Sequence, residues 1–146
     1  MRAAGGGAVL NVSSVASMVP MPGVSVYGMT KAALEHFTLD AARELHPDGI
    51  AVNCFRIDVP VASEGLLDNS PDQTAETFEP VEVATEGQLW MLRQPPSYTG
   101  QIESMWDLRR REGIMASQAK RPIGRLPPLT LQTGLYEGPD YTHYFD

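Results

Sequence analysis

Short apolar runs alternate with longer helical segments along most of this chain, and that alternation restricts the fold more than any other feature. The apolar runs cover residues 8–14, 50–57 and 100–106, and their length and composition are typical of buried strands. Helices are predicted over residues 25–46, where apolar positions recur every three or four residues, and over residues 82–93. The order strand, helix, strand, helix, strand predicts an α/β domain with a parallel sheet, right-handed crossovers and helices on both faces.

Two segments lack a regular hydrophobic period. A loop rich in Asp, Ser, Pro and Gly covers residues 58–80, and its length is typical of a functional or mobile segment. Residues 107–146 combine clustered charges with scattered glycine and proline, which predicts an irregular tail that wraps a surface or a partner chain. We therefore divide the chain into a folded unit over residues 1–106 and an irregular tail over residues 107–146.

Charge and composition exclude several classes of partner. The formal net charge of −7 argues against a nucleic acid as the principal partner. The single cysteine, Cys54, cannot form an internal disulfide, and no Cys/His cluster has zinc spacing, so no metal site is predicted. No stretch approaches the ~20 apolar residues that a membrane-spanning helix needs. These features favour a cytoplasmic protein without nucleic-acid or membrane partners.

Tyr27 and Lys31 form the first candidate pair of chemical groups. They lie four positions apart on a predicted helix, so their side chains share one face with Cβ atoms about 5–6 Å apart. Lowering the pKa of a tyrosine phenol from about 10 to about 7 takes ~4 kcal/mol. An ammonium ~4 Å away supplies that much only at an effective dielectric constant of about 20. Lys31 can therefore activate Tyr27 only in a site partly shielded from water, and the pair alone is a common chance occurrence.

Ser14 makes the pair more specific. It lies 13 positions before Tyr27 and ends the first predicted strand, at the sheet edge where open α/β folds bind ligands. A hydroxyl there can hydrogen-bond a substrate oxygen while the tyrosine moves its proton. Because neighbouring residues of a strand point to opposite faces, only one of Ser13 and Ser14 points into such a site. Ser13 and Ser17 are the alternatives, as ordinary strand-end and loop serines.

The motifs around these residues resemble those of the short-chain dehydrogenase/reductase family. The similar pieces are GAVLNVSS, the loop PMPG, YGMTKAALE, the strand IAVNCFR, the helix after Glu82, and SYTGQ at residues 97–101. The resemblance covers residues 1–106 and implies a partial Rossmann-like, doubly wound parallel sheet that keeps the last three strands of the family's fold. It also implies an NAD(P)-dependent oxidoreductase that transfers hydride between nicotinamide and a small alcohol or carbonyl substrate.

The resemblance also implies a role for each candidate residue. Ser14 orients the substrate oxygen, Tyr27 is the general acid/base, and Lys31 holds the nicotinamide ribose hydroxyls while lowering the pKa of the tyrosine. The cofactor-binding residues are then Tyr27, Lys31, Val59 and Val61. The cofactor is NAD or NADP, and the sequence does not distinguish between them.

The chain departs from the family's pattern in two places. Where the family has Arg-Pro-Gly after the second of these strands, this chain has Arg56, Ile57 and Asp58, so we expect Asp58 to alter the carboxamide pocket. The glycine-rich TGxxxGxG turn, the cofactor selector and the NNAG stretch, which precede the serine strand in the family, have no counterpart here. We interpret the chain as an N-terminally truncated fragment with an incomplete cofactor site, whose full-length form is expected to be a homo-oligomer.

Two alternatives stay open at this point. A non-catalytic partner subunit would pair with a full-length subunit through the helix at residues 25–46. An unrelated small α/β domain would carry the tyrosine and lysine by chance. If the chain is a reductase, we expect its substrate to be shaped by Met18 to Met21 and by the loop from Asp58 to Pro80.

Overall fold

A parallel sheet of three strands forms the centre of the fold. The structure is a computed structural model that describes residues 1–21, 23–69 and 75–121. The strands are β1 (Gly7–Ser14), β2 (Ile50–Ile57) and β3 (Ile102–Ser104), and they lie side by side in chain order. Both neighbouring pairs are parallel. The predicted parallel sheet and its strand order are confirmed.

The pairing of β1 with β2 runs along the whole of both strands. Gly7 lies opposite Ile50 at one end, and Ser14 lies opposite Ile57 at the other. The carboxyl ends of β1 and β2 therefore meet at the same edge of the sheet. Within the described residues β1 pairs with β2 alone, so its other side is an edge of the sheet.

Helices connect and cover the strands. In the described part of the chain these are α1 (Ser25–Leu45), α2 (Glu64–Asp68), α3 (Val81–Leu92) and α4 (Met105–Glu112). Short 3₁₀ helices add a turn at several connections, at Arg2–Ala4, Val15–Ser17, His46–Asp48 and Ala75–Thr77. The helices predicted over residues 25–46 and 82–93 are confirmed to within one residue at each end.

The two long helices cover opposite faces of the sheet. On one face, Ile50 and Val52 of β2 pack with Ala41 and Ala42 of α1. Phe55, which has the opposite parity in β2, belongs to the larger core on the other face. The residues of α3, α4 and the following segment in that core are Val83, Ala84, Met91, Met105, Leu108 and Met115. The helices thus cover both faces as the alternation predicts, and the fold is the partial Rossmann-like, doubly wound sheet that the resemblance implies.

The third strand and the predicted tail differ from expectation. Strand β3 is shorter than residues 100–106, because Gly100 takes a left-handed φ of 72° and Ser104 already caps the next helix. The Ser104 side chain accepts a hydrogen bond from the Asp107 amide. The prediction of an irregular tail from Asp107 is therefore wrong over α4, where a serine cap offsets the weak hydrophobic period. Residues 122–146 of that tail lie outside the described residues.

The predicted loop over residues 58–80 contains local order. It includes α2, capped by the Ser63 side chain, and a parallel bridge between Val61 and Glu79. The bridge is closed by hydrogen bonds from the Glu79 amide to the Pro60 carbonyl (2.8 Å) and from the Ala62 amide to the Glu79 carbonyl (2.8 Å). Residues 70–74 of this loop lie outside the described residues.

The segment after α4 is fixed to the domain by a buried acid and a buried thioether. Met115 is fully buried in the core with a φ of 55°. The buried Glu79 carboxylate accepts hydrogen bonds from Arg109 (2.9 Å) and from the Gln118 amide (2.9 Å). Burial alone would raise the pKa of Glu79, but the hydrogen bonds from Gln118, Ser117 and Arg109 hold it below its ordinary value.

The packing of Met115 gives a test of this core. A Cβ added at Gly87 would lie 2.3 Å from the Met115 sulfur and 2.9 Å from the Phe55 ring. Gly87→Ala is therefore expected to destabilise the fold by about 1–3 kcal/mol in urea denaturation, because overpacking outweighs the better helix propensity of alanine. Gly65→Ala in α2, where a Cβ meets no atom within 4 Å, is the matched control and is expected to be neutral or stabilising. Equal effects of the two variants would contradict this packing.

Candidate active site

Ser14 lies at the carboxyl end of β1 and begins the short 3₁₀ helix Val15–Ser17. Its Oγ accepts a hydrogen bond from the Ala16 amide at 3.3 Å, and its backbone is extended. That bond uses an oxygen lone pair, so the Ser14 O–H is available as a donor to another group. Its neighbour Ser13 is buried and donates to Glu35 on the α1 side at 2.7 Å. Of the two strand-end serines, Ser13 is therefore the structural one.

Tyr27 and Lys31 occupy the first two turns of α1 and share one face, as their spacing predicts. The Lys31 Nζ atom lies 5.3 Å from the centroid of the Tyr27 ring. The same Nζ donates a hydrogen bond to the Val12 carbonyl at 2.9 Å. Lys31 thus connects Tyr27 to the end of β1, two residues before Ser14. An ammonium has three N–H donors, so the bond to Val12 leaves two for other acceptors.

The shielding from water that the sequence argument requires is not provided by the described residues. Tyr27 as a whole residue is 46% exposed. Lys31 bonds the carbonyl of Val12 in β1, and within the described residues no further strand pairs with the other edge of β1. The electrostatic effect of Lys31 on the Tyr27 oxygen is therefore weaker here than in a closed site.

A close backbone contact fixes the start of α1 against the turn that carries Ser14. A Cβ added at Gly28 would lie 2.6 Å from the carbonyl oxygen of Ala16. Only glycine permits this approach without a shift of the backbone, so the residue after Tyr27 is restricted by packing. The contact brings the first turn of α1 next to the 3₁₀ helix that Ser14 caps.

A buried carboxylate holds the same region together. Glu35 of α1 is 8% exposed and accepts hydrogen bonds from Ser13 (2.7 Å) and Ser17 (2.7 Å). Arg56 of β2 donates to both Glu35 oxygens, from Nε at 2.8 Å and from Nη2 at 2.7 Å. Burial by itself raises the pKa of Glu35, but the hydrogen bonds from Arg56, Ser17 and Ser13 bring it below its ordinary value. Glu35 therefore joins α1 to β1, to the 3₁₀ helix and to β2.

Sequence reasoning missed Glu35. The sequence does contain a signal for it. Glu35 is spaced by three or four residues from Lys31 and Thr38, so it lies on the face of α1 that packs on the sheet. A single arginine near the end of a buried strand, Arg56, is the other half of that signal. A charged residue on a buried helix face requires a partner, because an unpaired buried charge is costly.

Val59 and Val61 do not present their side chains to the site. Both are buried in the core that contains Phe55 and the residues of α3. Any contact with a cofactor at these two positions would therefore be made by the backbone. Their predicted role in cofactor binding stays a prediction.

Asp58 has a structural function that the sequence did not reveal. Its carboxylate accepts hydrogen bonds from the Ser104 hydroxyl and from the Trp106 amide, the latter at 2.9 Å, at the beginning of α4. Burial raises the pKa of Asp58, and the two hydrogen bonds only partly oppose that effect. Asp58 thus joins the end of β2 to the helix after β3, in the place where proline and glycine were expected.

The described residues fit one end of a dinucleotide. The Lys31 ammonium and the Tyr27 hydroxyl offer polar groups of the kind that ribose hydroxyls bind, at the carboxyl end of a parallel strand. In residues 1–21, 23–69 and 75–121, no strand is followed by a glycine-rich turn into a helix of the kind that holds a pyrophosphate.

Within the same ranges, no helix has the length and apolar character needed to cross a membrane.

Comparison with known proteins finds similarity to short-chain dehydrogenases. The family model for short chain dehydrogenases matches residues 1–60. Dehydrogenase/reductase SDR family member 4 of Homo sapiens is 48% identical over 55 residues, which are 38% of this chain and 20% of the relative. Cyclopentanol dehydrogenase of Comamonas sp. (strain NCIMB 9872) is 29% identical over 119 residues, 73% of this chain and 46% of the relative.

A solved structure shows the same fold. L-sorbose reductase from Gluconobacter frateurii, in complex with NADPH and L-sorbose, superposes with a TM-score of 0.61 at 23% identity, over 71% of this chain and 47% of that one. The chain spans less than half the length of these relatives. The region that matches the family model, residues 1–60, contains Ser14, Tyr27 and Lys31, so this part of the chain is similar to short-chain dehydrogenases. These similarities argue against the alternative of an unrelated α/β domain.

The Glu35 network predicts a specific dependence of stability on pH. Glu35→Gln removes the negative charge beside the poorly exposed Arg56 and is expected to destabilise the fold by about 3 kcal/mol at neutral pH. Because the folded state holds the pKa of Glu35 below its ordinary value of 4.5, this contribution is present above that pH and is lost as the pH falls through the folded-state value.

Chemical denaturation of both proteins at neutral and acidic pH measures this effect. The stability difference between wild type and Glu35→Gln is expected to shrink below the ordinary pKa of a glutamate. Glu44→Gln, an exposed change on the same helix, serves as the control and is expected to differ little from wild type. A stability difference between wild type and Glu35→Gln that stays constant with pH would show that the charge of Glu35 does not stabilise the fold.

Proposed function

We propose that this protein functions as an NAD(P)-dependent oxidoreductase of the short-chain dehydrogenase/reductase type, with a small alcohol or carbonyl compound as its substrate. The observation that carries the proposal is the position of Lys31. Within the residues 1–60 that match the family model, its ammonium contacts the Tyr27 ring and the carbonyl of Val12, near the end of the strand that Ser14 terminates.

In the proposed reaction, each of the three residues handles a different polar group. The Tyr27 oxygen moves a proton to or from the substrate oxygen as the general acid/base. The Ser14 O–H, which its cap bond leaves available, donates to that substrate oxygen and orients it. The Lys31 ammonium stabilises negative charge on the Tyr27 oxygen and directs its remaining N–H groups to the ribose.

The nicotinamide group would supply or accept the hydride. Lys31 and Tyr27 would hold its ribose end, and the backbone near Val59 and Val61 would face the carboxamide. Either NAD or NADP would fit this role, since the ribose and carboxamide contacts are common to both. The NADPH bound to the structurally similar L-sorbose reductase supports this class of cofactor. A cytoplasmic location is part of the proposal and is supported by the single, buried Cys54.

A second candidate function is supported by one feature of α1. Three large apolar side chains on this helix, Val26, Met29 and Phe37, are each more than half exposed. Such a surface on a helix is typical of a face that pairs with another protein. This surface would let the chain pair through α1 with another subunit, with or without its own activity. It would equally support homo-oligomerisation of an active form.

The catalytic assignment is tested best in a chimera. Residues 1–106 replace the matching part of cyclopentanol dehydrogenase from Comamonas, and oxidation of cyclopentanol is followed by the absorbance of reduced nicotinamide. Tyr27→Phe removes one hydroxyl from an otherwise unchanged ring and is expected to lower kcat by roughly 100- to 10,000-fold, with the circular dichroism spectrum unchanged. A variant that keeps more than about a tenth of the activity would place the base elsewhere.

The serine assignment has a matched control. Ser14 and Ser63 both cap short helices, accepting hydrogen bonds from the Ala16 and Leu66 amides respectively at 3.3 Å. Ser63→Ala therefore reports the loss of a cap alone. Ser14→Ala is expected to lower kcat well beyond Ser63→Ala while changing cofactor affinity little, whereas Lys31→Ala lowers both kcat and cofactor affinity. Equal losses of kcat in Ser14→Ala and Ser63→Ala would show that Ser14 acts only as a helix cap.

A further inference from the structure

The outer side of β1 carries a row of backbone groups that no strand within the described residues pairs with. The Gly7 amide donates to the Gly49 carbonyl, on the β2 side, at 3.2 Å. Successive residues of a parallel strand direct their backbone groups to one neighbour and then to the other, in alternation. Every second residue from Gly7 onward therefore bonds toward β2. The residues between them direct their N–H and C=O groups outward, and they are Ala8, Leu10, Val12 and Ser14.

A side-chain contact agrees with the outward direction of this row. The Val12 carbonyl accepts a hydrogen bond from the Lys31 Nζ atom at 2.9 Å, so a donor from outside the sheet reaches it. A backbone carbonyl oxygen has two lone pairs, and the lysine ammonium lies on a flexible stem. The Lys31 bond is therefore compatible with a second donor at the same carbonyl.

The two edges of this sheet differ in the features that prevent strand addition. Short length, charged side chains, proline and bulges are the usual means of protecting an edge. Strand β3 has three residues, and one of them is Glu103, which accepts a hydrogen bond from Arg111 at 2.8 Å. Strand β1 has eight residues without charge or proline, and it pairs one-to-one with β2, so it has no bulge. Within the described residues, β1 is the edge that is open to another strand.

The outward row of β1 is complementary to a second copy of itself. When two such strands meet in antiparallel order, all four outward residues find partners only if Leu10 lies opposite Val12 of the second copy. Ala8 then lies opposite Ser14, and each pair exchanges two backbone hydrogen bonds. The side chains also match, because Leu10 packs against the larger core and Val12, which has the same parity, is 38% exposed. Leu10 of one copy would thus cover Val12 of the other, and no charges would oppose each other.

We propose that β1 of this chain pairs in antiparallel order with β1 of a second copy, about a two-fold axis at Asn11. The pairing joins two three-stranded sheets into one of six strands, which is a usual size for a sheet. It occupies the outward row of both copies, so the assembly closes at a dimer. This interface differs from the exposed apolar surface of α1 and does not depend on the proposed enzymatic function.

Sedimentation of the 146-residue chain over a range of concentrations tests the pairing. The chain is expected to form a dimer that dissociates on dilution. Val12→Pro removes an outward N–H without breaking a bond to β2, and each dimer then loses two hydrogen bonds and gains two proline rings at the edge. We expect this variant to dimerise at least about tenfold more weakly. Val12→Ala, which keeps the N–H, is the matched control and is expected to retain most of the association, and circular dichroism verifies the fold of both variants.

A disulfide cross-link tests the position of the axis. In the proposed register, Asn11 lies opposite itself in a pair without hydrogen bonds, where the Cα atoms are about 4.5 Å apart and a disulfide can form. Asn11→Cys is therefore expected to give a covalent dimer in oxidised glutathione. Two copies of Val12→Cys would lie diagonally about 7–8 Å apart, which is too far for a disulfide. The native Cys54 is buried and is not expected to react.

Three outcomes would overturn the inference. The first is a chain that sediments as a monomer at every concentration. The second is equal cross-linking of Asn11→Cys and Val12→Cys, which would show random collisions. The third is a dimer that Val12→Pro leaves intact but Phe37→Glu dissociates, because Phe37 is 57% exposed on α1 and such a dimer would use that helix instead.

Discussion

The buried Glu35 carboxylate is the contact on which the rest of this site depends. It is the common acceptor for Ser13 of β1, Ser17 of the following turn and Arg56 of β2. Strand β1 with its following turn, helix α1 and strand β2 are separate segments of the sequence, and Glu35 joins all three at the carboxyl edge of the sheet. Since Glu35 lies one turn after Lys31 on α1, the same contact sets the height and rotation of the helix that carries Tyr27.

A second buried acid, Asp58, holds the neighbouring end of β2 in a different way. It accepts hydrogen bonds at the start of α4, so the chain after β2 is directed toward the helix that follows β3. This helps to explain why Val59 and Val61 are buried rather than exposed at the site. The pKa values of the two acids are shifted in opposite directions. Hydrogen bonds from Arg56 and two serines lower that of Glu35, whereas burial raises that of Asp58. The carboxyl edge is therefore organised by polar contacts inside an apolar sheet.

The sequence predicts the sheet well because hydrophobic periodicity records burial. Strand β2 and helix α1 follow directly from their apolar patterns, and the parallel order follows from the alternation of elements. Helix α4 was missed because it is short and charged and depends on the Ser104 cap and on Asp58, which is far away in sequence.

The candidate site was predictable to the extent that it depends on local spacing. The shared face of Tyr27 and Lys31 is a property of one helix, and the motif around Ser14 is a property of one strand. The Glu35 network and the contact of Gly28 with Ala16 arise from the meeting of elements, so they have only weak signals in the sequence. The degree of exposure of Tyr27 depends on what covers the β1 edge, which no pattern within α1 records.

The central claim is that the Glu35 carboxylate holds α1 on β1 so that Lys31 reaches the strand end beside Ser14. Nuclear Overhauser contacts between the Lys31 ε-methylene protons and the backbone protons of Val12 and Ser13 measure that placement directly. The account predicts that these contacts are present in the wild-type chain at neutral pH, persist in Glu44→Gln, and weaken or vanish in Glu35→Gln. Contacts that are unchanged in Glu35→Gln, or that are missing from the wild-type chain, would contradict it.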